Sequence, residues 1–245
     1  MRSVAFQDPE FDEAIRVADL RFFREPLSWY VDKLQRGETF SLVRYGDGEL
    51  ACMLGAVGKN TDGCDYSRQL GDDLRYSLTR TEGDFYYGMQ RVLPGDVVKF
   101  RKVRPAGRPW LDSEVFGRAL LDGELYPLIQ QLKGMTTTIV GNQHHAKMAW
   151  LLGSFRHVLT PECNTYTEKD RLIDYLLDHC QRPAVYLFSC GMTAKVMIAQ
   201  LHGRLGEKSW LIDVGHLWDV FCGRLTREEL KTVTPEILWR NLEGP

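Results

Sequence analysis

Short runs of β-branched and aromatic residues alternate with amphipathic runs along much of the chain. This alternation is typical of a parallel α/β sheet with helices packed on it. A helical pattern follows each strand-like run, and the runs that predict strands are residues 39–45, 136–140, 184–188 and 209–212. We therefore predict an α/β fold with a mostly parallel, Rossmann-like sheet and flanking helices.

The amphipathic runs predict helices at about residues 10–20, 27–36, 112–133 and 168–179. The last of these is introduced by Thr167 with Asp170 three residues later, which is a weak form of the capping box. We expect a single domain over residues 1–245, in which N-terminal helices occupy 8–36 and the core occupies 38–222.

Residues 85–112 do not follow this alternation. They contain Pro94, Gly95, Pro105, Gly107 and Pro109. Both residue types interrupt regular structure, because proline lacks a backbone N–H and glycine is conformationally permissive. We expect this segment to be a long loop or an insertion.

The chain has 245 residues, and its 31 Lys and Arg against 33 Asp and Glu give a net charge of −2. That average argues against a nucleic-acid partner, because such affinity rests on neutralising phosphates. The charge is uneven, since residues 1–84 hold eleven basic and sixteen acidic side chains, whereas residues 91–109 hold six basic and one acidic. Basic residues interleaved with aromatic ones can follow a phosphate backbone and stack bases. The alternative is a solvated loop. The cluster consists of Lys99, Phe100, Arg101, Lys102, Arg104, Arg108 and Trp110.

The N-terminus lacks the apolar stretch of a signal peptide, and no apolar run approaches the roughly 20 residues that span a bilayer. We therefore expect a cytoplasmic protein without a membrane span. The six cysteines are scattered and form no Cys-x-x-Cys pair, so they indicate neither a zinc site nor a disulfide framework. We expect most of them to be small buried hydrophobic residues.

Ligands of open α/β sheets lie beyond the carboxyl ends of the strands. Four loops at predicted strand ends are therefore candidates, and each carries glycine and polar groups. They are residues 44–49, 141–145, 189–193 and 213–219.

The first loop places Asp47 and Glu49 one residue apart, so both carboxylates point to one side if the segment is extended. Two such carboxylates suit a hard divalent cation. Gly46 and Gly48 flank Asp47 and permit the close approach of a ligand. The alternative is a plain turn in which Glu49 begins the next helix.

The last loop places His216 three residues after Asp213 and one helical turn before Asp219. His216 could bind a metal, contact a phosphate or act as a base. The alternative makes Asp213 a helix N-cap and His216 a packing residue.

The third loop opens a helix directly after a strand, and the free N–H groups of a helix start suit a diphosphate. Gly191 and Thr193 lie at this start, with Lys195 in the first turn. A simple strand-to-helix turn is the alternative, since no dinucleotide fingerprint or phosphate loop is present. His144 and His145 in the second loop are expected to be surface or core residues more often than ligands.

Taken together, these loops resemble the glycosyltransferases of the GT-D fold, a family first known as a domain of unknown function. Its Arg-aromatic-Gly-Asp-Gly-Glu motif is similar to residues 44–49. Its Gly-x-x-Ala helix start and Asp-hydrophobic-Gly-His segment are similar to residues 191–194 and 213–216. Its Pro-x-x-Asn-small-aromatic segment is similar to residues 161–166, which contain Asn164.

The resemblance implies a GT-D-type hexosyltransferase that moves a sugar from a nucleoside diphosphate sugar, first of all a UDP-sugar such as UDP-glucose. It implies a Mn²⁺ or Mg²⁺ ion held by Asp47 and Glu49, with His216 as a third ligand. The groups implied for the phosphates and nucleotide are Arg44, Gly46, Gly48, Asn164, Gly191, Thr193 and Lys195. The candidates for a catalytic base are Asp213, His216 and Asp219.

The acceptor implied by the resemblance is a hydroxyl of a glycan or glycoprotein. The basic cluster adds a sharper hypothesis, in which the acceptor is a hydroxymethylated base in DNA bound through Lys99, Arg101, Lys102, Arg104 and Arg108. Two other classes of function fit the same loops. One is a non-catalytic nucleotide-binding module, and the other is a metal-dependent phosphohydrolase.

Overall fold

The computed structural model describes residues 8–103, 105, 107–179, 183–205 and 208–244. Within them, eight strands form one parallel sheet. The strands are β1 (Phe22–Phe23), β2 (Ser41–Tyr45), β3 (Phe85–Met89), β4 (Trp110–Asp112), β5 (Thr137–Gly141), β6 (Arg156–Leu159), β7 (Val185–Ser189) and β8 (Trp210–Asp213). Their order across the sheet is β1-β4-β3-β2-β8-β7-β5-β6. The predicted α/β fold with a mostly parallel sheet is confirmed.

Helices flank this sheet, and short 3-10 turns connect several of them. The α-helices of the described residues are α1 (Pro9–Val17), α2 (Leu27–Gln35), α3 (Asp47–Met53), α4 (Arg68–Ser77), α5 (Pro94–Phe100), α6 (Val115–Asp122), α7 (Tyr126–Lys133), α8 (Ala149–Leu152), α9 (Lys169–His179), α10 (Thr193–Leu205) and α11 (Pro235–Glu243). None of the helices in this part of the chain is long and apolar enough to cross a membrane.

The prediction that residues 85–112 form a loop or an insertion is wrong. The segment contains β3, α5 and β4, and β3 lies inside the sheet between β2 and β4. Pro94 begins α5 at a position where the missing N–H is tolerated. Gly88 allows close packing in β3, since a Cβ there would lie 2.6 Å from the Ser113 side chain.

The predicted helix at 112–133 is two helices, α6 and α7. Gly123 ends α6 with a left-handed backbone (φ +74°), a conformation that glycine adopts without steric cost. The chain turns there and α7 begins three residues later. Helical periodicity continues across the break, which is why the sequence pattern does not show it.

Two hydrophobic cores cover the two faces of the sheet. Strand β8 shows how the sequence builds them, because Leu211 packs into one core while Trp210 and Ile212 pack into the other. This alternation follows from the two-residue period of a strand.

The strand order reverses next to β2. From β2 the chain adds β3 and β4 on one side, and it then crosses to place β8, β7 and β5 on the other. A reversal of this kind opens a crevice at the carboxyl ends of the strands. The four loops selected from the sequence all lie at that edge.

Candidate active site

A cavity of about 780 Å³ opens at the carboxyl ends of β2, β5, β7 and β8. All four predicted loops contribute to its wall. Of the predicted site residues, Gly46 is absent from the wall, and the others line it: Arg44, Asp47, Gly48, Glu49, Asn164, Gly191, Thr193, Lys195, Asp213, His216 and Asp219.

Lys195 is the centre of a buried charge cluster below this wall. Its Nζ lies 2.8 Å from Glu49 Oε1, 3.0 Å from Asp213 Oδ2 and 3.1 Å from the Gly191 carbonyl oxygen. Burial alone would lower the pKa of Lys195, but the two carboxylates raise it above its ordinary value. Since an ammonium group has three donors, these three acceptors leave none for a phosphate.

The segment around Asp47 and Glu49 is the first turn of α3, so it is not the extended segment in which both carboxylates would point to one side. Glu49 is buried, and its Oε2 accepts a hydrogen bond from the Gly46 N–H at 2.9 Å. Asp47 is exposed to the cavity, and its Oδ1 accepts from the Gly48 N–H at 2.9 Å. Glu49 therefore lies at the start of a helix, which is the alternative that the sequence left open.

Glu49 makes the stability of the protein dependent on pH. Burial alone would raise its pKa, but Lys195 and the Gly46 N–H lower it below the ordinary 4.5. The stability from this pair is therefore complete above that ordinary value and is lost as pH falls through the lower pKa of the folded state.

We expect the melting temperature of the wild type to fall more steeply than that of Glu49→Gln between about pH 6 and about pH 3. Thermal unfolding followed by circular dichroism measures both slopes. The exposed Glu124→Gln variant is the matched control and should keep the wild-type slope. Equal slopes for Glu49→Gln and the wild type would contradict the role assigned to Glu49.

Arg44 places a buried cation in the cavity wall. The residue is 7% exposed, and among the described residues its buried Nε has no hydrogen-bond partner. Gly215 makes room for the guanidinium, because a Cβ there would lie 2.7 Å from Arg44 Nη1. The backbone of Gly215 also requires glycine, with φ at +55°. A cation held in this way is suited to an anionic ligand.

Asp219 contacts imidazole groups from two loops. Its Oδ2 lies 2.8 Å from His216 Nδ1, and its Oδ1 lies 2.9 Å from His144 Nε2. Burial would raise the pKa of Asp219, but the neighbouring His145, His216 and Thr226 lower it well below its ordinary value. Burial lowers the pKa of His144.

His216 is the most exposed member of this group, with 37% of its side chain accessible. Burial would lower its pKa, but hydrogen bonds to Asp219 and Asp62 raise it. Its Nε2 lies 2.6 Å from Arg227 Nη2, and Arg227 is also paired with Asp62 at 2.6 Å. Arg227 and Asp62 therefore frame His216 on the cavity side.

Several residues of this cavity were not selected from the sequence, or were given little weight: Asp62, His144, His145, Arg224, Thr226 and Arg227. His144 and His145 had a signal, since they follow β5 at the same sheet edge as the other loops. The remainder lie in connecting segments without a recognisable motif, so no local pattern points to them.

Asn164 links two segments of the cavity wall through its side-chain amide. Its Oδ1 accepts from the Asp65 N–H at 2.8 Å, and its Nδ2 donates to Asp65 Oδ2 at 2.7 Å. Next to it, Cys64 Sγ and Cys163 Sγ lie 2.6 Å apart. Burial raises the pKa of Cys64 to about 12. Both cysteines are only partly buried and meet at the cavity wall, whereas Cys52, Cys190 and Cys222 are buried, as expected for most of the cysteines, and Cys180 lies outside the described residues.

The described residues of the basic cluster are not part of the cavity wall. Phe100 and Trp110 are buried against each other, with ring centroids 5.3 Å apart, so they cannot stack bases as expected. Lys99 is paired with Asp96, and Arg108 donates to the Gly83 carbonyl at 2.8 Å. Arg101 and Lys102 are exposed, and Arg104 lies outside the described residues.

Comparison of the sequence with protein families and with curated proteins finds no match. Three solved structures are similar in fold. One, described as the selenomethionine-substituted structure of domain of unknown function 1792, is 18% identical over 86% of this chain and 84% of its own, with a TM-score of 0.67. A second, with the description that this domain "has a distinct glycosyltransferase fold", is 17% identical over 86% and 84%, with a TM-score of 0.64.

The third is described as a new glycosyltransferase (DUF1792) from Streptococcus sanguinis. It is 18% identical over 82% of this chain and 84% of its own, with a TM-score of 0.64. The GT-D-type fold expected from the sequence motifs is thereby confirmed. This chain has the fold of domain of unknown function 1792, the distinct glycosyltransferase fold of those structures.

Proposed function

We propose that this protein transfers a sugar from a nucleoside diphosphate sugar to a hydroxyl acceptor in the cavity at the strand ends. The observation that carries the proposal is Arg44, a buried guanidinium whose Nε has no partner among the described residues. A buried N–H without a partner is costly, so its presence on a cationic side chain in a cavity wall favours an anionic ligand. The similarity to structures described as glycosyltransferases supports the reaction class.

The start of α10 supplies the second part of the anion site. This helix has thirteen residues, and Gly191, Met192 and Thr193 at its start line the cavity. Free N–H groups and the helix dipole favour a phosphate at such a position. Arg44 and the helix start would together hold the diphosphate of the donor.

In the transfer, the acceptor oxygen forms a bond to the anomeric carbon of the sugar. The bond from that carbon to the diphosphate oxygen breaks, and its electron pair stays on the diphosphate. Negative charge therefore develops on the leaving group, next to Arg44 and the start of α10. Fixed positive groups at that point lower the barrier, because they favour the transition state over the ground state.

A base must take the proton of the acceptor hydroxyl, and His216 is the candidate that we propose, with the acceptor hydroxyl replacing Arg227 Nη2 at His216 Nε2. Asp213 is buried and paired with Lys195, and Asp219 holds imidazole groups with both oxygens. His216 alone of the three is partly exposed to the cavity. Asp219 fixes its orientation through Nδ1, as the third member of a catalytic triad does.

The metal set implied by the resemblance does not fit these residues. Glu49 Oε1 is paired with Lys195, and Glu49 Oε2 accepts the Gly46 N–H. His216 Nδ1 is bonded to Asp219. Asp47 is the one member of the set whose carboxylate faces the cavity without an ion pair in the described part of the chain. We therefore assign no catalytic step to an ion between Asp47 and Glu49.

UDP-glucose is the donor that we propose first, with a glycan or glycoprotein hydroxyl as acceptor. In the described part of the chain, the DNA acceptor rests on the exposed Arg101 and Lys102, since the aromatic residues of that cluster lie in the core. Salt-dependent binding of hydroxymethylated DNA that is lost in the Arg101→Ala/Lys102→Ala variant would favour it.

Incubation with a panel of nucleoside diphosphate sugars and divalent ions tests the proposal. We expect release of the nucleoside diphosphate, faster when a suitable acceptor is added. We also expect His216→Gln to reduce turnover by about 10²- to 10⁴-fold while donor binding is kept. Chromatography of the nucleotide products measures both.

The same products separate the alternatives. A phosphohydrolase would release nucleoside monophosphate or inorganic phosphate, and a binding module would release nothing while its melting temperature rises with the nucleotide. Either result would contradict glycosyl transfer.

A further inference from the structure

Two adjacent histidines and one aspartate form a compact group in the cavity wall. His144 Nε2 lies 2.9 Å from Asp219 Oδ1, and His145 Nε2 lies 3.3 Å from the same oxygen. One ligand atom from each residue lies within 4.8 Å of the other two. Among the described residues this is the one group of His, Cys, Asp or Glu with metal-ligand spacing.

His145 gives an independent indication of a missing ligand. The residue is 2% exposed, and no described residue forms a hydrogen bond with either of its ring nitrogens. The 3.3 Å approach of Nε2 to Asp219 lies outside hydrogen-bond geometry. Buried polar atoms almost always have a partner, so an orphaned imidazole that lines a cavity favours a bound ligand.

The backbone at the end of β5 leaves room for this imidazole. A Cβ at Gly141 would lie 2.5 Å from His145 Nδ1, so glycine is what permits the ring to pack against the end of β5. The ring of His144 is 4.1 Å from that of His145, centroid to centroid. Both rings are therefore held beside Asp219.

Two of the three separations between the ligand atoms match those of atoms bound to one metal ion. With metal bonds of about 2.1 Å, two ligands lie about 3.0 Å apart at a right angle and about 3.4 Å apart at a tetrahedral angle. The observed separations of 2.9 Å and 3.3 Å fall at these values. Imidazole ligands favour transition metals over Mg²⁺, and a two-His, one-carboxylate set leaves coordination positions open.

We propose that His144, His145 and Asp219 bind a divalent first-row transition metal ion in the cavity wall. All three residues line the cavity that the proposed function assigns to the donor, so on that assignment the ion would lie beside the donor diphosphate. The site differs from the Asp47, Glu49 and His216 set implied by the sequence motifs.

The surroundings hold the three ligands in place. Asp219 Oδ2 is bonded to His216 and to the Thr226 hydroxyl, and Oδ1 is the oxygen that lies beside both proposed imidazole ligands. The segment after His145 is tied to the loop that carries Asp219, since Trp150 Nε1 donates to the Phe221 carbonyl at 3.0 Å. Such outer contacts orient metal ligands and preserve affinity.

Equilibrium dialysis with Co²⁺, without any nucleotide, tests the site. We expect about one Co²⁺ per wild-type chain, with visible d–d absorption and no displacement by Mg²⁺. His144→Gln, His145→Gln and Asp219→Asn should each weaken Co²⁺ binding by at least about 100-fold, more than outer-contact changes do. Circular dichroism confirms that each variant is folded.

His157→Gln is the matched control, because His157 is a half-buried histidine on β6 that contacts the Gly141 carbonyl and lies outside the group. It should bind Co²⁺ as the wild type does, and so should Asp47→Asn and Glu49→Gln. Loss of Co²⁺ binding in Glu49→Gln with retention in folded His145→Gln would overturn the assignment, and so would absence of binding to the wild type. Glycosyl transfer is not part of this assay, so the metal site and the proposed function fail separately.

Discussion

Lys195→Met is expected to lower the free energy of unfolding by about 3–5 kcal/mol. Lys195 is 6% exposed and is the shared partner of the buried carboxylates Glu49 and Asp213. Methionine keeps most of the side-chain volume but removes the positive charge. Two carboxylates are then buried without their cation. Leaving a buried charge without its partner costs more free energy than replacing the whole ion pair by apolar groups.

Urea unfolding of the wild type and the variant measures this loss. Lys133→Met is the matched control, because Lys133 is exposed at the end of α7 and its replacement should change stability by less than about 0.5 kcal/mol. The double variant with Glu49→Gln should lose less than the sum of the two single variants. A loss below about 1 kcal/mol for Lys195→Met would show that the charge cluster does not hold the strand ends together.

Arg44→Met is expected to weaken UDP binding by about 10- to 100-fold without lowering the stability of the free protein. The weaker binding follows from the loss of charge-assisted hydrogen bonds to the diphosphate. Stability is preserved because the buried Nε has no partner among the described residues, so its removal breaks no hydrogen bond there. Replacing a residue that serves ligand binding lowers UDP affinity and leaves stability unchanged. Replacing a residue that serves only the fold lowers stability and leaves UDP affinity unchanged.

Isothermal titration with UDP and urea unfolding measure the two parts of this prediction. Arg44→Lys should recover only part of the affinity, since an ammonium group cannot bind two phosphate oxygens in the planar manner of a guanidinium. Arg204→Met, at an exposed position of α10, serves as the control for a lost positive charge. UDP binding that is unchanged in Arg44→Met would remove the main support for the anion site.

The sequence was sufficient to predict the strands that build the site and where they lie along the chain. The runs at β2, β5, β7 and β8 are hydrophobic and β-branched because they are buried on both faces of the sheet. The remaining strands lack that pattern. In β3 the run is aromatic and contains Gly88, β6 is a short edge strand with Arg156 and His157, and β1 has two residues.

The side-chain partners within the site could not be predicted in the same way. Sequence spacing placed Asp47 and Glu49 together, but Glu49 turns to Lys195, which lies on a different helix. His144 and His145 meet Asp219 only because β5 and β8 end at the same edge of the sheet. Such contacts depend on how the elements pack, and a single sequence does not contain that information in any local pattern.

The basic cluster illustrates the same limit for charge. Phe100 and Trp110 stand among basic residues in the sequence, yet each faces the core from its own helix or strand. The side chains that alternate along the chain therefore separate into a buried aromatic face and an exposed basic one. Basic and aromatic residues that alternate in the sequence lie side by side in space only where the backbone places both types on one surface.

A crystal structure of the protein with UDP tests the central claim most directly. We expect diphosphate oxygens within hydrogen-bond distance of the Arg44 guanidinium and of the backbone N–H groups at the start of α10. UDP bound elsewhere, or a diphosphate that contacts neither Arg44 nor α10, would contradict the assignment of this cavity as the donor site.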